Sequence, residues 1–222
     1  MLGLSRALAL LTILVCLFTE GRAFAQRNVA GEFDYYVLVL SWTPSYCRTE
    51  GRERKDGQCD GSNARGFLLH GLWPQYDEGW PEDCPISRRP WVPNKVIEEM
   101  RDIMPSKSLI IHEHRTHGTC SGLEPAQYFG VARELYERIS VPADFLAPDA
   151  SGLIPADEIE RKFLDVNAWL KPETIAVSCR GQDLIDIRVC FGRDFFPQPC
   201  GINEDEKRLC PAGKIAVPPV KP

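Results

Sequence analysis

Hydrophobic and polar positions divide the chain into short apolar runs separated by connections rich in proline, glycine and charge. Phe33 to Leu40 is almost continuously apolar and rich in Tyr, Val and Leu, the pattern of a buried strand, and it ends at Ser41-Trp42-Thr43-Pro44. Gly66 to Trp73 predicts a second strand, which Pro74 should end. Asn94 to Met104 predicts a short helix, with Val96, Ile97, Met100 and Ile103 on one face and Pro105 closing it. Pro125 to Ile139 and Pro155 to Leu170 predict amphipathic helices, their apolar residues falling three or four apart. Thr174 to Cys179 and Leu184 to Phe191 read as further strands, and the tail after Cys210, with four prolines, as an extended or mobile end. No internal repeat or linker interrupts this series, so the chain reads as one α+β domain.

The first 25 residues change the picture at the N-terminus. Arg6 precedes an apolar run of 12 residues, Ala7 to Phe18, and Ala23-Phe24-Ala25 follows as a small-residue cleavage site, the form of a signal peptide. An uncleaved anchor and a lipoprotein signal at Cys16 are weaker readings: the run is too short to span a bilayer, and Ile13-Leu14-Val15 lacks the small residues a lipidated cysteine requires. Cleavage would remove Arg6, Arg22 and Glu20, turning 26 basic and 31 acidic residues into 24 and 30, a net charge of -6. A chain so acidic does not hold nucleic acid by a broad basic field, so any such contact must be local. Nine cysteines become eight without Cys16, and an even set behind an export signal implies disulfides. Eight cysteines allow 105 pairings, and the sequence alone does not choose among them.

Candidate chemistry is concentrated in two segments. His112, His114 and His117 lie in Ile111 to Ser121, where a helix carrying them would be stopped by Gly118, and the remaining histidine, His70, lies in Leu69-His70-Gly71-Leu72-Trp73-Pro74. No histidine is then left for an incidental place in the core. Imidazole, with an ordinary pKa of about 6.5, both accepts and gives a proton near neutrality, so this placement points to acid-base chemistry. A zinc site is the competing reading, since His112-Glu113 resembles the start of H-E-x-x-H. His112 and His117 are five residues apart, which would set them about 140° apart on an α-helix, and no acid stands between His114 and His117. The sequence therefore predicts no metal and no cofactor.

His70-Gly71-Leu72-Trp73-Pro74 and His112-Glu113-x-x-x-His117-Gly118-Thr119-Cys120, in this order and about 40 residues apart, resemble the two active-site segments of the ribonuclease T2 family. Leu40-Ser41-Trp42-Thr43-Pro44-Ser45-Tyr46-Cys47 resembles the family's first strand and its continuation. The resemblance implies a central, mainly antiparallel sheet packed with helices and stapled by disulfides. It pairs Cys84 with Cys120, and Cys179 with Cys210 around Cys190 with Cys200, which leaves Cys47 with Cys59. It also implies an endoribonuclease of low base specificity acting on single-stranded RNA. His117 is the expected general base, His70 the general acid, His112 the phosphate holder and Glu113 the carboxylate among them. The product would be a 2′,3′-cyclic phosphate, hydrolysed more slowly to a 3′-phosphate.

Two positions depart from the family pattern. Thr116 replaces the usual lysine before the final histidine, and His114 replaces the usual tryptophan after the glutamate. Arg115 is adjacent, but on a helix it points about 100° away from Thr116. Trp73 resembles the base-stacking tryptophan, with a core role as the alternative, and Gln75 stands where some relatives have Asp or Asn. Trp73, Gln75, Arg115 and Thr116 are the candidate substrate-binding residues, and the expected pH optimum lies below 7. The expected protein is a monomer without stable membrane association, exported to a periplasm or the extracellular space. The reading from another class is an exported RNA-binding protein that keeps the fold with weakened catalysis, Thr116 being its symptom.

Overall fold

In the computed structural model, residues 28–49, 51, 58–59, 66–87, 90–146 and 152–220 are described. The signal segment expected at residues 1–25 lies outside them. β1 (Tyr35–Trp42) is buried along its whole length and pairs antiparallel with β2 (Phe67–Gln75) on one side and β5 (Asp183–Gly192) on the other. β4 (Ile175–Arg180) lies antiparallel to β5. β6 (Ile215–Ala216) meets the start of β5 in a parallel pairing and carries β3 (Leu153–Ile154) at the far edge. The sheet is thus mainly antiparallel, as expected.

Alternation along β1 explains how one strand serves two layers. Tyr36, Leu38, Leu40 and Trp42 enter the main core, with Phe129 and Leu135 of α5 (Pro125–Glu137) and Ile159 and Phe163 of α6 (Ala156–Val166). Tyr35, Val37 and Val39 point the opposite way, where they pack with Cys190, Trp73 and Cys200. α1 (Thr43–Arg48) follows β1 directly, with Pro44 in its first turn, and α2 (Asn94–Met100) is shorter than its apolar spacing predicts. All four disulfides join the expected partners: Cys47–Cys59, Cys84–Cys120, Cys179–Cys210 and Cys190–Cys200.

Two expectations need correction and a third is narrowed. Pro74 does not end β2, which runs on to Gln75; β2 is an edge strand, where a missing N–H is tolerated. The tail is extended but not loose: Ile215 and Val217 are buried, and the Trp42 indole N–H donates to the Pro218 carbonyl at 3.0 Å. Of the two forms expected, extended or mobile, the described part of the tail takes the extended one, and its apolar side chains decide where it goes. Gly118 does not stop the histidine helix; Gly122 does, at φ +74°.

Candidate active site

Two elements deliver the candidate groups. The β1–β2 register jumps between Val39–Gly71 and Leu40–Leu69, which leaves His70 as the extra residue of a β-bulge. Such a bulge re-aims side chains. Leu69 and Leu72, three apart, both enter the main core, and His70 and Trp73, also three apart, meet with ring centroids at 5.3 Å. In a regular strand residues three apart face opposite ways.

The second element is one continuous helical path. Ser106 caps α3 (Lys107–Glu113), its hydroxyl accepting from the Leu109 N–H at 3.3 Å. A π-helical turn, His114–Gly118, follows and leads into α4 (Thr119–Ser121). The Thr119 N–H reaches back five residues to the His114 carbonyl, and the Thr119 hydroxyl donates to the Arg115 carbonyl at 2.9 Å. The hydroxyl thereby fills the acceptor that an α-turn would have given to the Thr119 N–H. Widening the turn brings residues five apart toward one face, so the 140° separation of an ideal α-helix does not hold for His112 and His117. The Cys84–Cys120 disulfide and the Asp83 N–H, which donates to the Thr116 carbonyl at 2.9 Å, tie this segment to the loop after β2.

Trp73 is where the two elements meet. Its indole N–H donates to Glu113 Oε2 at 2.7 Å, and its ring stacks on His117 with centroids 5.0 Å apart. Glu113 Oε1 lies 3.4 Å from His70 Nε2; the carboxylate is buried, while 35% of the His70 side chain reaches solvent. Gly71 makes this approach possible, because a Cβ there would overlap Glu113 Oε2 and stand 2.6 Å from Trp73 Nε1.

The two histidines that flank Trp73 differ in charge preference. Burial opposes protonation of His70, but Glu113 beside it, reinforced by Asp186, more than offsets burial and raises its pKa above 6.5. Burial dominates at His117 and lowers its pKa below 6.5, Glu113 offsetting only part of the effect. Burial would raise the Glu113 carboxyl, but His70, His117 and the Trp73 N–H lower it on balance. The carboxylate is therefore charged where it faces His70.

The remaining expected residues are more scattered. His112 is exposed and shares with His70, Gln58, Ser106 and Arg180 a cavity of about 470 Å³, a volume suited to a small ligand. Arg115 is exposed, and the Thr116 hydroxyl faces Asp83 Oδ1 at 3.5 Å. Gln75 is buried and its amide oxygen accepts from Asn203 at 3.2 Å, so it braces the turn after β2 instead of facing solvent. His114 corrects the expectation that no histidine belongs to the core: it is 3% exposed, packs on Tyr128 and Phe129, and neither ring nitrogen has a hydrogen-bond partner. Among the described residues no group of three or more His, Cys, Asp or Glu is arranged to hold a metal ion.

Sequence reasoning missed Gly71 and Arg188. The Arg188 guanidinium stands 5.4 Å from the Trp73 ring centroid. The signal was available as two charges, Asp186 and Arg188, two apart in the otherwise apolar run Leu184 to Phe191.

Comparison with known proteins agrees with this geometry. The profile of the ribonuclease T2 family matches residues 33–200, and the chain belongs to that family. It is 39% identical over 120 residues to a ribonuclease of Aeromonas hydrophila, covering 54% of this chain and 53% of that protein, so the match spans about half of that relative. To ribonuclease I of Escherichia coli it is 26% identical, covering 89% of this chain and 90% of the relative. Among solved structures, an RNase-related protein from Calystegia sepium superposes with a TM-score of 0.67 at 21% identity, covering 86% of this chain and 99% of that one. A mutant of RNase MC1 in complex with 5′-UMP gives 0.63 at 22% identity, covering 83% and 98%. At such identities the structural likeness establishes the fold alone.

Proposed function

We propose that the chain is an endoribonuclease that cleaves single-stranded RNA by transphosphorylation. The observation that carries this reading is the pair His70 and His117, held against one indole with pKa values displaced in opposite directions. Neutral His117 takes the proton of the ribose 2′-hydroxyl, whose oxygen attacks the phosphorus. Protonated His70 gives its proton to the departing 5′-oxygen, leaving a 2′,3′-cyclic phosphate. Water then opens the ring with the two roles exchanged and yields a 3′-phosphate. Glu113 keeps His70 charged and, through Trp73, in place, while exposed His112 holds the phosphate from the cavity side. The proton transfers need no metal or cofactor.

Nucleotide binding by structural neighbours, such as a mutant of RNase MC1 with 5′-UMP and RNase NT with 5′-AMP, supports an RNA substrate. Four disulfides fit export to an oxidising compartment, the signal segment being residues 1–25. Phosphorus NMR of a dinucleotide digest tests the reaction type. A cyclic phosphate that accumulates and then decays to a 3′-phosphate is expected; direct release of a 5′-phosphate would contradict it.

A further inference from the structure

We propose that Arg188 is a positioning residue of this site, holding the Trp73 indole that the two histidines share and facing His70 with a fixed positive charge; the proposal rests on the ribonuclease reading. β5 carries Asp186 and Arg188 on one face, in register with Ser41 and Val39 of β1 and so across that strand from His70 and Trp73 of β2. Only 17% of the Arg188 side chain is exposed. Its Nε donates to Asp186 Oδ1 at 3.0 Å, and a terminal nitrogen lies 3.6 Å from Glu204 Oε1. The other Glu204 oxygen accepts from the buried Tyr35 hydroxyl. The Cys190–Cys200 disulfide returns the chain to β5 just before the Ile202–Glu204 turn, so the carboxylate holding Arg188 is itself anchored.

Asp186 hydrogen-bonds one edge of the planar guanidinium and Glu204 lies in ion-pair contact with another, leaving its charge over the indole, a geometry that a lysine ammonium does not reproduce. Among the described residues, the charged and titratable groups around His70 are Glu113 from α3, Asp186 and Arg188 from β5, and His117 across Trp73, with Tyr46, His112 and Arg180 sharing its cavity. Arg188 is the cation that opposes protonation of His70, and Asp186 beside it acts in the opposite sense. Without the guanidinium, Asp186 would act unopposed, His70 would hold its proton to higher pH, and it would be a weaker acid toward the leaving oxygen.

The test follows the His70 Cε1–H resonance against pH in the disulfide-bonded protein, beside the pH profile of dinucleotide cleavage. Arg188→Gln is expected to move the His70 midpoint and the alkaline limb of the profile upward together by about half a pH unit or more. It should also lower kcat more than it raises KM. Arg188→Lys should return the midpoint toward the parental value while kcat stays low, because the charge is restored and the fork is not. An unmoved midpoint with parental kcat in folded Arg188→Gln would overturn the proposal, whether or not RNA is the substrate. If Arg188→Gln fails to fold, Arg188→Gln with Glu204→Gln, which removes one of the two carboxylates left without the guanidinium, is read against the same criterion. A parent that cleaves no RNA contradicts the ribonuclease reading alone, since the His70 titration still reports on Arg188.

Discussion

The Trp73 indole N–H donates to Glu113 Oε2 at 2.7 Å, although one residue lies on a strand and the other on a helix 40 residues later. Gly71 lies directly beneath that bond, and its missing Cβ is what lets helix and strand approach. Gly71→Ala should therefore push Glu113 and Trp73 apart. A destabilisation of about 1–3 kcal/mol is expected in urea unfolding. A drop in kcat of about 100-fold or more is expected alongside it. Parental kcat in this variant would mean that the hydrogen bond has no part in the reaction.

The opposite displacements of the two histidines predict a pH dependence. The proposed mechanism requires neutral His117, whose pKa lies below 6.5, and protonated His70, whose pKa lies above it. The profile of kcat/KM should rise on the acid side, fall on the alkaline side and have its top across pH 6.5. Glu113→Gln removes the charge that raises both histidines, so both limbs should move to lower pH. Limbs that stay in place would remove Glu113 from the mechanism.

Thr116 stands where the family pattern has lysine, and its hydroxyl faces the Asp83 carboxylate. A lysine introduced there would have that carboxylate as a neighbour, which would hold part of its charge away from the phosphate. Thr116→Lys should raise kcat, and Thr116→Lys with Asp83→Asn should raise it further, to about tenfold or more above the parent. Rates at or below the parental value in both variants would show that Thr116 is no handicap.

His114 is buried with two unpartnered ring nitrogens among aromatic rings. Burial lowers its pKa, so the unfolded chain binds a proton that the folded chain refuses, and stability falls as pH drops below 6.5. His114→Phe removes that proton uptake and the unpaired nitrogens. It should raise the thermal midpoint by about 2–4 °C near neutrality, and by more at acid pH. Unchanged or lower midpoints at both pH values would contradict this.

The parts of the site legible in the sequence were those carried by residue type. Four histidines in two segments, with Glu113 and Trp73 beside them, are visible without coordinates, as are strands as apolar as β1. Relations created by backbone hydrogen bonding were not visible. The π-turn depends on the Thr119 hydroxyl reaching the Arg115 carbonyl, and α-helical spacing misplaces both His114 and His117 once that turn widens. Gly118 looked like a helix stop, but it lies inside the helix, where a Cβ would meet the His114 ring at 2.8 Å, so glycine serves close packing there and not chain reversal. Arg188 was hidden for another reason: a lone arginine in a strand reads as surface until the sheet sets it over Trp73 between Asp186 and Glu204.

Cleavage of yeast RNA by the disulfide-bonded protein, with and without EDTA and beside His70→Ala and His117→Ala, tests the central claim most directly. The expected result is chelator-resistant cleavage in the parent, reduced about 100-fold or more in each folded alanine variant. Parental rates in either variant, or cleavage abolished by EDTA, would contradict the account.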